Sequence, residues 1–152
     1  FQSFQPLAHR MQFVGEYGEI KWYDDAIATA PEPTIAALET IGDVDTLFLG
    51  GTDRGLTYET LADAVCHSSI RNVVLFPENG SAMYAAIQKV CVDRAFEVLK
   101  TSSMKEAVQF AFAHTQKCKS CLLSCAAPSY TLWKNFEEKG EEFVREVKMY
   151  KD

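Results

Sequence analysis

Apolar residues along this chain come in two rhythms, short unbroken runs and longer stretches in which they recur at helical spacing. The runs Thr46-Leu47-Phe48-Leu49, Val73-Val74-Leu75-Phe76 and Cys121-Leu122-Leu123 are bounded by polar and turn-forming residues, which predicts strands buried on both faces. Phe96-Glu97-Val98-Leu99 is a weaker run of the same kind. At the start, Gln12 to Glu16 and Ile20 to Tyr23 bracket Tyr17-Gly18-Glu19, which reads as a hairpin turn. The intervening stretches carry helical stripes: Ile35, Leu38 and Ile41 within Pro31 to Ile41, then Tyr58, Leu61, Ala62 and Val65, then Met83, Ile87 and Val90. Ser103-Met104-Lys105-Glu106 is a capping box, opening a helix with Val108, Ala111 and Phe112 on one side. The last helical stretch runs from Leu132 to Tyr150, with Gly140 expected to break it. Strands alternating with helices in this way predict an α/β fold. We expect a Rossmann-like, mostly parallel sheet of about six strands, with an antiparallel N-terminal hairpin strand and helices on both faces.

The 152 residues suffice for one sizeable core and are too few for two, so one domain is expected. Fifteen basic against 21 acidic residues leave a net charge of -6, densest in acid near the C-terminus. A polyanion needs a clustered basic footprint, so no nucleic-acid partner is expected. No apolar run approaches the roughly 20 residues that span a bilayer. The opening Phe1-Gln2-Ser3-Phe4-Gln5-Pro6 lacks the pattern of a signal peptide. The expectation is a soluble, cytoplasmic protein with no membrane partner. Its five cysteines, at 66, 91, 118, 121 and 125, have no framework spacing, which suits reduced thiols. Cys118-Lys119-Ser120-Cys121 is a CxxC, but a structural zinc site wants a second ligand pair, and Cys121 falls inside a predicted strand. No metal is expected there.

In sheets of this kind ligands collect where strands end, which singles out Asp24-Asp25 to Thr29, Gly50 to Gly55 and Ser124 to Ser129. The second cluster, Gly50-Gly51-Thr52-Asp53-Arg54-Gly55-Leu56, sits between strand and helix like a phosphate loop, yet Leu56 stands where a Walker loop needs its lysine. A triphosphate must find its main site elsewhere, and the glycines also suit a plain tight turn. Asp24-Asp25 with Asp53 evokes a phosphate-accepting receiver domain. That fold wants a lysine at the end of its last strand, and Ser124-Cys125-Ala126-Ala127 offers none.

Taken in order, His9-Arg10-Met11, Tyr23-Asp24-Asp25-Ala26-Ile27-Ala28-Thr29-Ala30-Pro31 leading to Thr34-Ile35-Ala36-Ala37-Leu38-Glu39, Gly50-Gly51-Thr52-Asp53-Arg54-Gly55, and Leu122 to Ser129 with Lys134-Asn135-Phe136-Glu137-Glu138-Lys139-Gly140 resemble the successive motifs of the Mur ligase C-terminal domain. The resemblance runs from His9 to Phe143, and its closing block is that of the glutamate-adding branch. It implies residues 1–8 as the remnant of an interdomain linker and 9–152 as the amino-acid-binding domain.

The resemblance implies an ATP-dependent acid–amino-acid ligase of peptidoglycan precursor synthesis when full length. Its partners would be glutamate, UDP-N-acetylmuramoyl-L-alanine and the N-terminal and central ligase domains. ATP and Mg2+ would be bound mainly by the central domain, so the isolated domain is expected to be inactive. By position, His9 and Arg10 correspond to residues facing ATP, and Asp25 to the acid that contacts its ribose. Thr29 and Arg54 correspond to the pair that takes the α-carboxylate of glutamate. Ser129, with Tyr130 beside it and the backbone of Phe136, would take the side-chain carboxylate. His9 and Arg54 are the implied catalytic residues. Three positions depart from the family's pattern: Ile27 replaces a lysine, Ala30 an asparagine and Arg54 a lysine. Loss of one preorganised cation costs about 3 kcal/mol of transition-state stabilisation. An alternative is therefore a degenerate, non-catalytic homologue that binds or scaffolds.

Overall fold

The computed structural model of the chain describes residues 11–28, 30–51, 58–77, 79–93, 95–126 and 133–150. Strands β1 (Gln12–Tyr17) and β2 (Ile20–Asp24) form the expected hairpin, running antiparallel with Gln12 opposite Asp24. Gly18 and Glu19 make the turn with φ of 60° and 63°, the pair of positive values that matches the twist of a tight hairpin. Then follow α1 (Pro31–Ile41), β3 (Val44–Leu49), α2 (Glu59–Cys66), β4 (Asn72–Leu75), α3 (Gly80–Val90), β5 (Glu97–Lys100), α4 (Met104–His114), β6 (Ser120–Leu123) and α5 (Phe136–Met149).

The sheet has the order β1-β2-β6-β3-β4-β5, and every pairing except β1 with β2 is parallel. Strands β3, β4 and β6 are buried at every position, as their unbroken apolar runs require. Their side chains alternate between two cores. Leu47, Leu49, Val73, Leu75 and Leu122 point to the layer of α1, α2 and α3, while Phe48, Val74, Phe76, Cys121 and Leu123 point to α4 and α5. On the second face Trp22, Phe48, Phe76, Trp133 and Phe143 form a chain of tilted and edge-on rings. Each such fully buried side chain is worth about 1.5–3 kcal/mol of transfer free energy.

The structure departs from the sequence expectations in three places. Helix α5 begins at Phe136 and runs through Gly140 without a break, because Gly140 is buried on the packed side, one turn before Phe143. At α4 only half of the capping box forms. Ser103 Oγ accepts from the Glu106 N–H at 3.3 Å, whereas the Glu106 carboxylate takes the Thr101 hydroxyl at 2.5 Å, and Thr101 Oγ1 accepts the Ser103 N–H instead. Finally, Cys66 and Cys91 are disulfide-linked rather than reduced, joining the adjacent ends of α2 and α3 with a Cα–Cα distance of 5.6 Å. Of the CxxC, Cys121 is buried in β6 as expected and Cys118 is exposed. Among the described residues no helix is long and apolar enough to cross a membrane.

Two aspartates tie down the N-terminal edge of the parallel sheet. Asp45, buried at the start of β3, accepts from Arg71 Nε and Nη2 at 2.7 and 2.9 Å and from the Gln116 N–H at 2.7 Å, linking β3 to the chain before β4 and β6. Asp43 accepts from Lys21 Nζ at 2.5 Å and Ser120 Oγ at 2.6 Å. Burial pushes the Asp43 carboxyl up, but these two hydrogen bonds and the Lys21 charge together hold it below its ordinary 3.8.

Removing Asp45 takes an acceptor from the buried Asn72 amide and breaks the ties to Arg71 and Gln116, so Asp45→Ala is expected to cost about 1–3 kcal/mol, read as a fall in the urea midpoint. The stabilisation from Asp43 is complete above its ordinary carboxylate value and is lost as pH falls through its lower folded value. Asp43→Asn is therefore expected to lower stability at neutral pH and to flatten the acid limb below about pH 4, in a pH series of thermal melts.

Candidate functional site

Parallel pairing sets β2, β6 and β3 side by side with a common direction, and Leu123 of β6 stands opposite Asp24 of β2 and Phe48 of β3. The segments that leave these three strands are 25–30, 124–135 and 50–58, which take in Asp25 to Thr29, Ser124 to Ser129 and Gly50 to Gly55 of the clusters singled out by the sequence. They therefore start from one edge of three neighbouring strands. Of the expected site residues, Asp25 and Phe136 are described. His9, Arg10, Thr29, Arg54, Ser129 and Tyr130 lie outside the described residues.

A buried polar network holds the start of each segment. The Asp25 N–H donates to Leu123 O at 2.8 Å and the Gly50 N–H to Cys125 O at 3.0 Å, extending the ladders of β6 beyond its last residue. Asp25 Oδ1 accepts from the Met11 N–H at 3.1 Å and Oδ2 from Ser124 Oγ at 2.8 Å. Ser124 Oγ in turn lies 2.9 Å from Thr34 Oγ1, whose hydroxyl also reaches Ser124 O. With 2 % exposure, Asp25 turns its carboxylate towards protein donors. Asp24 is buried beside it and accepts from the Ala26 N–H at 3.0 Å, shaping the turn into α1. Ala30 holds the N-cap position of α1 without a side-chain cap. Pro31 and Pro33 lower the need for one, since they remove two of the orphan N–H groups in the first turn.

Helix α5 arrives at the same edge. Asn135 caps it, accepting from the Glu138 N–H at 2.8 Å, and so aligns the first turn that begins at Phe136. One turn on, Lys139 is fully buried and hydrogen-bonds the Cys125 thiol. Burial pushes that thiol up, the Lys139 charge and hydrogen bond draw it down, and Asp25 and Asp24 push it up again. Lys139, buried at this edge, brings one positive charge to the neighbourhood of the two buried aspartates.

The 50–58 segment is anchored at both stems. Gly50 has φ of 108°, and a Cβ there would meet Phe76 O at 2.2 Å. The Gly51 N–H donates to Asn79 Oδ1 at 2.9 Å, the Asn79 N–H returns to Gly51 O at 3.1 Å, and Asn79 Nδ2 donates to the Tyr58 hydroxyl at 2.6 Å. Sequence reasoning passed over Asn79, Lys139 and the Ser124–Thr34 pair. A signal existed for Lys139, which falls on the apolar stripe Phe136, Gly140, Phe143 and Val147 of an otherwise acidic helix. Among the described residues no group of three or more His, Cys, Asp or Glu side chains is placed to hold a metal ion.

Residues 9–127 match the protein family described as Mur ligase, glutamate ligase domain. The chain belongs to the Mur ligase family. It is 32% identical over 143 residues to a UDP-N-acetylmuramoylalanine–D-glutamate ligase of Clostridium botulinum, covering 93% of this chain and 31% of that protein. It is 33% identical over 145 residues to the ligase of the same name from Halalkalibacterium halodurans, covering 95% and 31%. The chain thus spans about a third of the length of these relatives. Among solved structures it resembles the murein peptide ligase Mpl of Psychrobacter arcticus, with a TM-score of 0.62, 13% identity and 99% of this chain and 32% of that one covered. It also resembles the MurF ligase of Thermotoga maritima in complex with ADP, with a TM-score of 0.60, 16% identity and 96% and 33% covered. The mixed six-stranded sheet with its antiparallel hairpin and five helices has the fold of the Mur ligase C-terminal α/β domain.

Because backbone atoms of Phe76 crowd the Cβ position at residue 50, Gly50→Ala is expected to cost about 2–4 kcal/mol. The measurement is a denaturant titration, and an unchanged midpoint would show that the 49–51 backbone is free to move aside.

Proposed function

We propose that this chain is the glutamate-binding domain of an ATP-dependent ligase that joins glutamate to UDP-N-acetylmuramoyl-L-alanine. The observation that carries the reading is the issue of the segments bearing Thr29, Arg54 and Ser129 from the same edge of adjacent parallel strands β2, β3 and β6. Ligands of open α/β sheets bind at that edge. In this reading Thr29 and Arg54 hold the α-carboxylate of glutamate, the latter as a planar fork suited to two oxygens. Ser129, Tyr130 and the backbone of Phe136 hold the side-chain carboxylate, Phe136 from the start of a helix, where amide groups favour an anion.

The chemistry proceeds in two displacements. A carboxylate oxygen of the nucleotide substrate attacks the γ-phosphorus of ATP, and ADP leaves. The amine of glutamate then attacks the resulting acyl phosphate carbon, phosphate departs, and the amine gives up a proton as the amide forms. Mg2+ would neutralise the phosphate charge during the first displacement. The chain lacks a Walker loop, which supports leaving the triphosphate mainly to a central domain in this reading. From this chain, His9 and Arg10 would face ATP. Asp25, already engaged by Met11 and Ser124, would meet the ribose only by sharing its oxygens. The site's task is to orient the amine and exclude water from the acyl phosphate.

The test is full-length protein supplied with UDP-N-acetylmuramoyl-L-alanine, ATP, Mg2+ and either glutamate enantiomer, with phosphate release followed beside ligated product. Stoichiometric release and ligation are expected. Binding of the nucleotide substrate without turnover on any amino acid would replace this reading with a scaffold role, which the loss of lysine at Ile27 favours. Restoring that charge in Ile27→Lys is expected to raise kcat about tenfold or more, since it returns a cation to the neighbourhood of the acyl phosphate.

A further inference from the structure

Asn79 occupies the N-cap position of α3, where an asparagine side chain ordinarily accepts a hydrogen bond from the helix's own first turn. Here it makes no such bond. The side chain is turned across to the neighbouring connection, and its two polar ends take the two stems of one segment. Oδ1 receives the Gly51 N–H at 2.9 Å and Nδ2 donates to the Tyr58 hydroxyl at 2.6 Å. The backbone adds a third tie, from the Asn79 N–H to Gly51 O at 3.1 Å. Tyr58 is itself the N-cap residue of α2, so the contact ties the starts of two helices together. The arrangement is buried, with Asn79 4 % and Tyr58 9 % exposed. Gly50 next to it has no room for a Cβ, which leaves the stem little freedom on the other side.

We propose that Asn79 is a positioning residue for the amino-acid site. It fixes residues 51 and 58 relative to each other, the two points between which the chain carries Arg54. This rests on the role given to Arg54 above. An amide is suited to the task because it offers one acceptor and one donor in a plane, matching the backbone N–H on one side and the phenol on the other.

The experiment uses Asn79→Ala, Asn79→Asp and Tyr58→Phe in the full-length protein, alone and with Arg54→Ala. Asn79→Ala is expected to raise the KM for glutamate about tenfold, with kcat and the KM for the nucleotide substrate within about threefold of wild type. Asn79→Asp is expected to stay close to wild type, its two oxygens accepting from the Gly51 N–H and the Tyr58 hydroxyl. In the Arg54→Ala background, Asn79→Ala should add no further rise in KM, whereas the two substitutions should lower Tm additively. Additive effects on KM, or a loss confined to Tm and kcat in all three Asn79 and Tyr58 variants, would overturn the proposal. If Asn79→Ala does not fold, Tyr58→Phe, which removes only a hydroxyl, decides by the same KM criterion, with a severalfold rise expected.

A readout without substrate separates this proposal from the assignment of glutamate. Amide exchange at Gly51 in the 152-residue chain should quicken about tenfold in Asn79→Ala while Val73 and Val74 in β4 stay protected. Unchanged exchange at Gly51 refutes the bracing whatever the substrate proves to be. Absence of glutamate turnover in the wild type, with faster Gly51 exchange in the variant, refutes the assignment of glutamate and leaves the bracing in place.

Discussion

A connection that leaves a strand buried on both faces starts where neither a ladder partner nor water is at hand, and its backbone groups must still be satisfied. At the C-terminal edge of this sheet, buried polar side chains meet that demand. Asp25 and Ser124 close the ends of β2 and β6, Asn79 closes both stems that flank residues 52–57, and Lys139 reaches Cys125 where β6 runs out. The two cores between the sheet and its helices are apolar. This edge is specified by directional bonds with one good geometry each, which fix where the connections leave the sheet.

The two edges of the sheet handle charge differently. At the N-terminal edge, Asp43 and Asp45 meet Lys21 and Arg71, cations that keep part of their surface in water, so the pairs act as ties between strands. At the opposite edge Asp24, Asp25 and Lys139 are removed from solvent altogether. Burying charges in this way is costly compared with an apolar core of the same volume, which argues for a geometric purpose at this edge rather than for stability alone.

Most of the architecture was legible in the residues because few forces decide it. Unbroken apolar runs such as Val73-Val74-Leu75 admit one solution in a chain of this length, and Gly18-Glu19 fits one class of turn. What was not legible depends on where distant segments meet. Gly140 reads as a breaker by propensity, yet helix packing around Phe143 and Val147 overrides the cost of a glycine. The Cys66–Cys91 link joins residues 25 apart whose approach is set by α2 lying against α3. For the proposed site, the motifs marked segments that leave adjacent parallel strands at one edge. The residues bracing them, Asn79 above all, belong to neighbouring connections and carry no local motif.

The single antiparallel strand has a consequence for how the domain is joined to anything upstream. Since β1 runs opposite to the other five strands, its first residue lies at their C-terminal edge, with Gln12 beside Asp24 and Met11 bound to Asp25. Had β1 been parallel, the polypeptide would enter at the far side, a sheet's height from the C-terminal edge of the parallel strands. With this polarity the chain enters β1 at the same edge from which it leaves β2, β6 and β3.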